Sequence, residues 1–252
     1  MSLTRIIRCR FYGALNRFLA LAHRYRAFSY ALKGIPAIKD TLEALGVPHT
    51  EIDCIVVNSR PVTFSYQIRG GERVLVYPDA GAARLKKIIR RSLKPKPPAN
   101  PKFVLDVHLG KLARHLRLLG FDTFYEKTME DTAIVRLGYL GRRIVLTRDI
   151  ALLKNKIVRR GYFVRATDPK KQIREIVRRF DLAGKMRPFR LCLVCNGRIR
   201  RIAKSKIVHR LPPLTKEHYT RFYHCSRCDK IYWQGAHYKQ LSRIVKGAVT
   251  LS

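Results

Sequence analysis

The sequence predicts an α/β protein in three parts: an N-terminal β-grasp (ubiquitin-like) domain, a parallel-sheet α/β domain and a C-terminal zinc ribbon. Three observations carry this. The first 80 residues run strand, strand, helix, strand, turn, strand. From Lys102 onward, short apolar strands alternate with helical segments, the pattern of a parallel sheet flanked by helices. Two C-x2-C pairs, Cys192/Cys195 and Cys225/Cys228, lie 29 residues apart near the C-terminus.

In the first part, residues 6–11 and 27–32 have strand character. Residues 36–46 (PAIKDTLEALG) predict a helix with Pro36 in its first turn, Ile38, Leu42 and Leu45 on one face and Gly46 as its stop. Strands are expected again over 53–58 and 73–77, the second after the turn Gly70-Gly71-Glu72. Residues 84–101 then mark a boundary. Its first half interleaves Arg84, Lys86, Lys87, Arg90 and Arg91 with Leu85, Ile88 and Ile89, as in a short basic amphipathic helix. Pro95, Pro97, Pro98 and Pro101 force the second half to be extended. Either a solvated linker or an RNA-contacting arm fits this stretch.

The α/β part is expected to place strands at 103–106, 123–125, 143–149 and 162–166, with helices at 109–119, 131–139, 150–160 and 170–180. Domain boundaries follow at 1–80, 81–101, 102–184 and 185–252. In an open parallel sheet, ligands sit beyond the carboxyl ends of the strands. Asp106, Asp149 and Asp168 fall at or just past such ends, and Asp131 opens the second helix. The chain has only 17 acidic residues, so this placement stands out. Clustered carboxylates need a cation, and Mg²⁺ or Mn²⁺ suits hard oxygen donors at a hydrolytic site. Two plainer roles stand beside this one: Asp131 as a helix cap and Asp168 as a turn residue before Pro169.

The charge is extreme. Fifty-three Lys and Arg against 17 Asp and Glu give a formal charge of +36. Such a chain repels itself unless its partner is anionic, and RNA phosphate is the favoured source. No apolar run approaches the roughly 18 residues of a membrane span, so a membrane partner is not expected. Arg5, Arg8 and Arg10 interrupt the N-terminal apolar residues, against a signal peptide. A cytoplasmic location with reduced thiols is therefore expected.

Four thiolates at the spacing of Cys192, Cys195, Cys225 and Cys228 suit tetrahedral Zn²⁺ with no open position, hence a structural ion. Gly197 and Asp229 fit the tight turns after each pair. Cys9 and Cys54 lie in strands and are expected to be buried small hydrophobes. Arg198, Arg200, Arg201, Lys204, Lys206 and Arg210 lie between the pairs, and Tyr232, Trp233 and Tyr238 follow them. These aromatics serve either as a stacking platform for RNA or as cover for the ribbon's small core.

The stretches LDVHLGKLARHLRLLGFDT, MEDT, RRIVLTRD and VRATDPKKQI resemble the PIN-like RNase family named for the mut-seven C-terminal domain. RGGERVLVYP, LCLVCNGRI and CSRCDKIYWQGAHY extend the resemblance over nearly the whole chain. It implies an RNase-like domain followed by a zinc ribbon, with a ubiquitin-like domain in front. It also implies that Asp106, Asp131 and Asp149, and Asp168 as a later acid, hold one or two Mg²⁺ or Mn²⁺ ions that orient water for phosphodiester hydrolysis. Glu130 is an adjacent substitute for Asp131. His108 departs from the pattern, because a carboxylate, amide or other polar group is expected two residues after the first acid. The ubiquitin-like part does not end in an exposed Gly-Gly, which excludes carrier chemistry and leaves an interaction or RNA-docking role. Two functions follow. One is a metal-dependent ribonuclease. The other is a non-catalytic RNA-binding or ribosome-associated protein, with ribosomal RNA or tRNA as partner, that uses the same fold as a scaffold.

Overall fold

The computed structural model describes residues 5–78 and 92–249. The basic segment expected as a helix at 84–91 lies outside the described residues. In chain order the elements are β1 (Ile6–Phe11), β2 (Phe28–Ala31), α1 (Ile38–Ala44), β3 (Cys54–Val57), β4 (Arg60–Val62), β5 (Arg73–Tyr77), β6 (Phe103–Leu105), α2 (Gly110–Leu118), β7 (Thr123–Phe124), α3 (Asp131–Leu140), β8 (Ile144–Thr147), α4 (Ile150–Lys154), β9 (Gly161–Phe163), α5 (Pro169–Arg179), β10 (Ile199–Ile202), α6 (Pro213–His218), β11 (Phe222–Cys225), β12 (Ile231–Trp233) and α7 (Ala236–Val249). The chain divides into two compact units, Met1–Lys96 with Asp149–Phe163, and Pro97–Arg148 with Val164–Ser252. No helix among the described residues is long and apolar enough to cross a membrane.

The first unit is built on a five-stranded sheet of order β2-β1-β5-β3-β4, with β1 and β5 parallel and the other pairs antiparallel. Strict alternation along β1 buries Ile7, Cys9 and Phe11 against Val74, Val76, Ile55 and the α1 residues Ile38 and Leu42. Gly46 ends the α1 region with φ +104°, and a Cβ there would sit 2.5 Å from the Phe18 carbonyl oxygen. Both conditions demand glycine. Strand β4 was not expected. Asn58 and Ser59 both take positive φ, 45° and 67°, forming a two-residue hairpin turn between β3 and β4. The absence of glycine from that turn, and Pro61 in the strand, hide it in the sequence.

Helix α4 is shorter than the 150–160 expected. The Asn155 side chain accepts the Ile157 N–H at 3.0 Å, a local turn that competes with helix continuation. The segment after it is tied within the same unit: the Phe163 N–H donates to Glu51 Oε1 at 2.7 Å, and His49 spans Glu43 Oε1 (2.6 Å) and the Val158 carbonyl (2.9 Å).

In the second unit β6 lies between β7 and β8, parallel to both. Every residue of β6 and β8 is buried, as expected of a strand covered on both faces. Helix α3 packs on β6 and β8, and α5 packs on α2 and α7. Phe103 meets Phe121 and Phe180 edge-on at 6.0 Å. The C-terminal region is an antiparallel sheet, β10-β11-β12, over a small core of Ile207, Leu211 and Phe222 with Trp233 against it.

Candidate functional site

The ribbon's two knuckles repeat one backbone pattern. In the first, the Cys192 N–H donates to the Gly197 carbonyl (2.7 Å) and the Asn196 N–H to the Cys192 carbonyl (3.0 Å). In the second, the Cys225 N–H donates to the Lys230 carbonyl (3.0 Å) and the Asp229 N–H to the Cys225 carbonyl (3.0 Å). Each turn closes through a residue in the left-handed region, Asn196 at φ 64° and Asp229 at φ 55°. Asparagine and aspartate tolerate that region better than most residues. The left-handed residue of the first knuckle is thus Asn196, one before the expected Gly197. Gly197 has a different role: a Cβ there would lie 2.7 Å from Cys225 Sγ.

These turns bring the ligand atoms of Cys192, Cys195, Cys225 and Cys228 within 4.8 Å of one another, a group that can hold a metal ion. Cys192 and Cys228 sulfurs are 3.6 Å apart, Cys195 and Cys225 sulfurs 3.4 Å. A tetrahedron with metal–sulfur bonds of about 2.3 Å has edges of about 3.8 Å, so the set closes on a single ion with little movement. Electrostatics points the same way. Burial raises the Cys192 thiol's pKa, but the Tyr232 hydroxyl at 3.0 Å and nearby backbone N–H groups outweigh it and bring the value down to about 6. Cys195 is pushed up to about 12 by burial, with the neighbouring thiols adding to the rise. One of the crowded sulfurs ionises readily and another resists, which is the condition a bound cation relieves.

The ribbon aromatics are absorbed by this construction. Tyr232 bonds Cys192 Sγ, and Trp233 packs on the Phe222 core. Of the two roles open to them, covering the ribbon is the one they visibly fill.

Sequence reasoning missed how the ribbon is held within its unit. Arg117 of α2 is only 4% exposed. Its guanidinium donates to the carbonyls of Thr123 (3.0 Å), Leu193 (3.3 Å) and Val194 (2.7 Å), the last two inside the first knuckle. Asn196 donates to Asp122 Oδ1 at 2.7 Å and accepts from the Thr123 N–H at 3.1 Å. Asp122 also takes a two-pronged contact from Arg143, at 2.8 and 3.0 Å. Burial raises its pKa, but the Arg143 and Asn196 bonds outweigh that and hold the carboxyl below its ordinary value. Gly120, at φ +90°, lets the Arg187 carbonyl approach to where a Cβ would clash at 2.1 Å. No periodicity flags Arg117, which lies off the Leu112–Leu116–Leu119 stripe and is buried from the other side.

The predicted acids have separate fates. Asp106 directly follows β6, is 4% exposed, and accepts from the His108 N–H (2.9 Å), the Arg148 N–H (2.9 Å) and the Thr147 hydroxyl. His108 itself is exposed. Asp131 is the exposed first residue of α3, whose N-cap is Glu130. Asp149 caps α4 through the Ala151 N–H at 2.7 Å. Asp168 caps α5 through the N–H groups of Lys170 and Lys171, with Pro169 in the first turn. The Lys171 N–H leads in holding its carboxyl below the usual value. Among the described residues the four cysteines are the only group of three or more His, Cys, Asp or Glu close enough to share an ion. The four acids form no such group.

Comparison with known proteins gives two family matches. The Mut7-C ubiquitin model matches residues 4–84, and the Mut7-C RNAse domain model matches residues 101–245. No curated protein and no solved structure matches the chain. The second match spans more than half of the 252 residues and runs from the strand before Asp106 through both cysteine knuckles. This chain belongs to the Mut7-C RNAse domain family, with a Mut7-C ubiquitin domain in front.

Proposed function

We propose that this protein binds RNA and that its α/β domain is a Mg²⁺- or Mn²⁺-dependent ribonuclease, carried by a ribbon that holds one structural Zn²⁺. The observation that carries this reading is the position of Asp106 within the match to the RNAse domain model. It lies just past the carboxyl end of β6, a strand with a parallel neighbour on each side, where open parallel sheets bind ligands. Three protein donors fix its orientation. Mg²⁺ keeps several waters and takes only one or two carboxylates, so a closed cage of acids is not required. Asp106 would anchor the ion, with Asp131, Asp149 and Asp168 as the further candidate carboxylates. Bound there, the ion would supply an activated water and stabilise charge at the phosphodiester. The four thiolates would close the zinc shell and leave it no catalytic position. The +36 charge supports RNA, ribosomal or transfer RNA included, as partner, and a cytoplasmic location is part of the proposal.

A second reading, RNA binding without cleavage, is favoured by the helix-capping roles that Asp149 and Asp168 already fill. Labelled structured and single-stranded RNAs, incubated with the zinc-loaded protein in Mg²⁺ or Mn²⁺, separate the two. The ribonuclease reading expects cleavage that an Asp106→Asn/Asp149→Asn variant loses by about 10²-fold or more. Cleavage that persists in the variant, or is absent from both, removes it. Salt-sensitive binding without cleavage, together with co-sedimentation with ribosomes, would support the second.

A further inference from the structure

One face of the first unit's sheet carries an arrangement that neither the metal centre nor the acids use. Alternation along β1 turns Ile6, Arg8 and Arg10 outward, opposite to the core. In the parallel ladder with β5, Arg8 stands directly opposite Arg73 and Arg10 opposite Leu75. All three arginines are exposed. On the other flank β2 contributes Ser29 and Ala31, so no acid answers them from that strand. Among the described residues no carboxylate pairs with any of the three. Like charges placed directly opposite on a sheet are destabilising. The fold therefore sets like charges at neighbouring positions, an arrangement that a polyanion would relieve.

The same strands end in an aromatic pair. Tyr12 and Tyr77 stack at 4.3 Å with planes 5° apart, and the Arg10 guanidinium lies 5.2 Å from the Tyr12 ring centroid. Toward β3 the face is closed, with Cys54 and Val56 buried beside Leu75 and Tyr77. The basic register is thus confined to β1 and β5.

We propose that this β1–β5 face is a binding surface for single-stranded RNA. Arg8, Arg10 and Arg73 contact phosphates, and Tyr12 offers its ring to a base or ribose. Guanidinium groups beside a half-buried ring suit backbone contact with stacking, and that combination tolerates many sequences. The proposal rests on the RNA reading above and names a site within it, on strands that fall in the Mut7-C ubiquitin match, residues 4–84, and outside the RNAse match.

The test measures binding of a fluorescein-labelled oligouridylate to the full chain by anisotropy over a salt series, without added Mg²⁺ or Mn²⁺. An Arg8→Gln/Arg10→Gln/Arg73→Gln variant is compared with a control removing equal charge from exposed positions of the same unit, Lys33→Gln/Arg60→Gln/Arg69→Gln. The first should weaken binding about tenfold or more and reduce the slope of log affinity against log salt by about 2 to 3. The control should do less than half as much. Because Arg8 and Arg73 repel one another, the first variant should melt no lower than the parent, which a structural role for these side chains would not allow. Tyr12→Leu should weaken binding with the salt slope unchanged. Equal losses from the two triple variants would overturn the site while leaving RNA binding intact. If the parent binds no RNA, the broader reading fails and this one with it. If poly-glutamate binds through the three arginines in preference to RNA, the surface belongs to an acidic protein and the proposal falls.

Discussion

Four cysteines and four aspartates make an instructive pair of regions. In the ribbon, the sulfurs face one another at 3.4 and 3.6 Å across two matching turns. At the strand and helix ends, Asp106, Asp149 and Asp168 are each engaged by backbone N–H groups of their own neighbourhood. A carboxylate that caps a helix is satisfied with or without a cation. Four crowded thiols are not, because ionising one opposes ionising the next. Demand for a metal is therefore written into the ribbon's geometry, whereas at the acids it depends on what a substrate and its counterions bring.

The strongest way to break this contrast is to remove one of the four sulfurs. Structural zinc contributes about 10–16 kcal/mol in small ribbons and fingers. Cys225→Ala should therefore abolish stoichiometric zinc and erase amide protection across β10, β11 and β12. Protection that survives in the zinc-free protein would show that the ribbon folds on its own core.

Next in size is the anchor. Arg117→Met replaces a buried guanidinium and leaves the Leu193 and Val194 carbonyls without their donor. The expected loss is about 3 kcal/mol in denaturant unfolding, together with faster zinc release to a chelator. Loss of stability without faster release would mean that Arg117 supports α2 alone.

A smaller effect tests the Asp122 link. Asp122→Asn should cost about 1 kcal/mol near neutrality, a modest figure because the pair is partly solvated. Since the folded-state pKa lies below the ordinary 3.8, this stability is fully present above that value. It is lost as the pH falls through the depressed folded value. Parent and variant melting curves should converge there, and a gap that widens in acid would contradict the assignment.

Smallest in stability, and sharpest for the comparison, is Asp168→Asn. Asparagine caps a helix about as well as aspartate, so the melting temperature should barely move. RNA cleavage should fall if Asp168 serves the reaction. Unchanged cleavage would leave it a cap.

Legibility in the sequence followed the range of the interactions. Strands β1 and β5 and the cysteine turns are local patterns, and their limits could be read from alternation and spacing. The Asn58-Ser59 hairpin was obscured because its positive φ values fall on residues other than glycine. Helix α4 was overextended because a side-chain bond from Asn155 competes with helix continuation. The acids were legible as strand-end residues, but their caps depend on where each helix begins, which periodicity locates only to within a few residues. Arg117 was invisible because its partners lie 76 and 77 residues away.

That last separation has a consequence in time. During synthesis α2 is complete long before the Leu193 and Val194 carbonyls exist, and at roughly 5–20 residues per second the wait is about 4 to 15 s. Until then the guanidinium has the Thr123 carbonyl but lacks its two partners in the knuckle. Arg117 is therefore fully partnered only once the first knuckle has emerged, and the four-sulfur group is complete only after Cys225 and Cys228 follow.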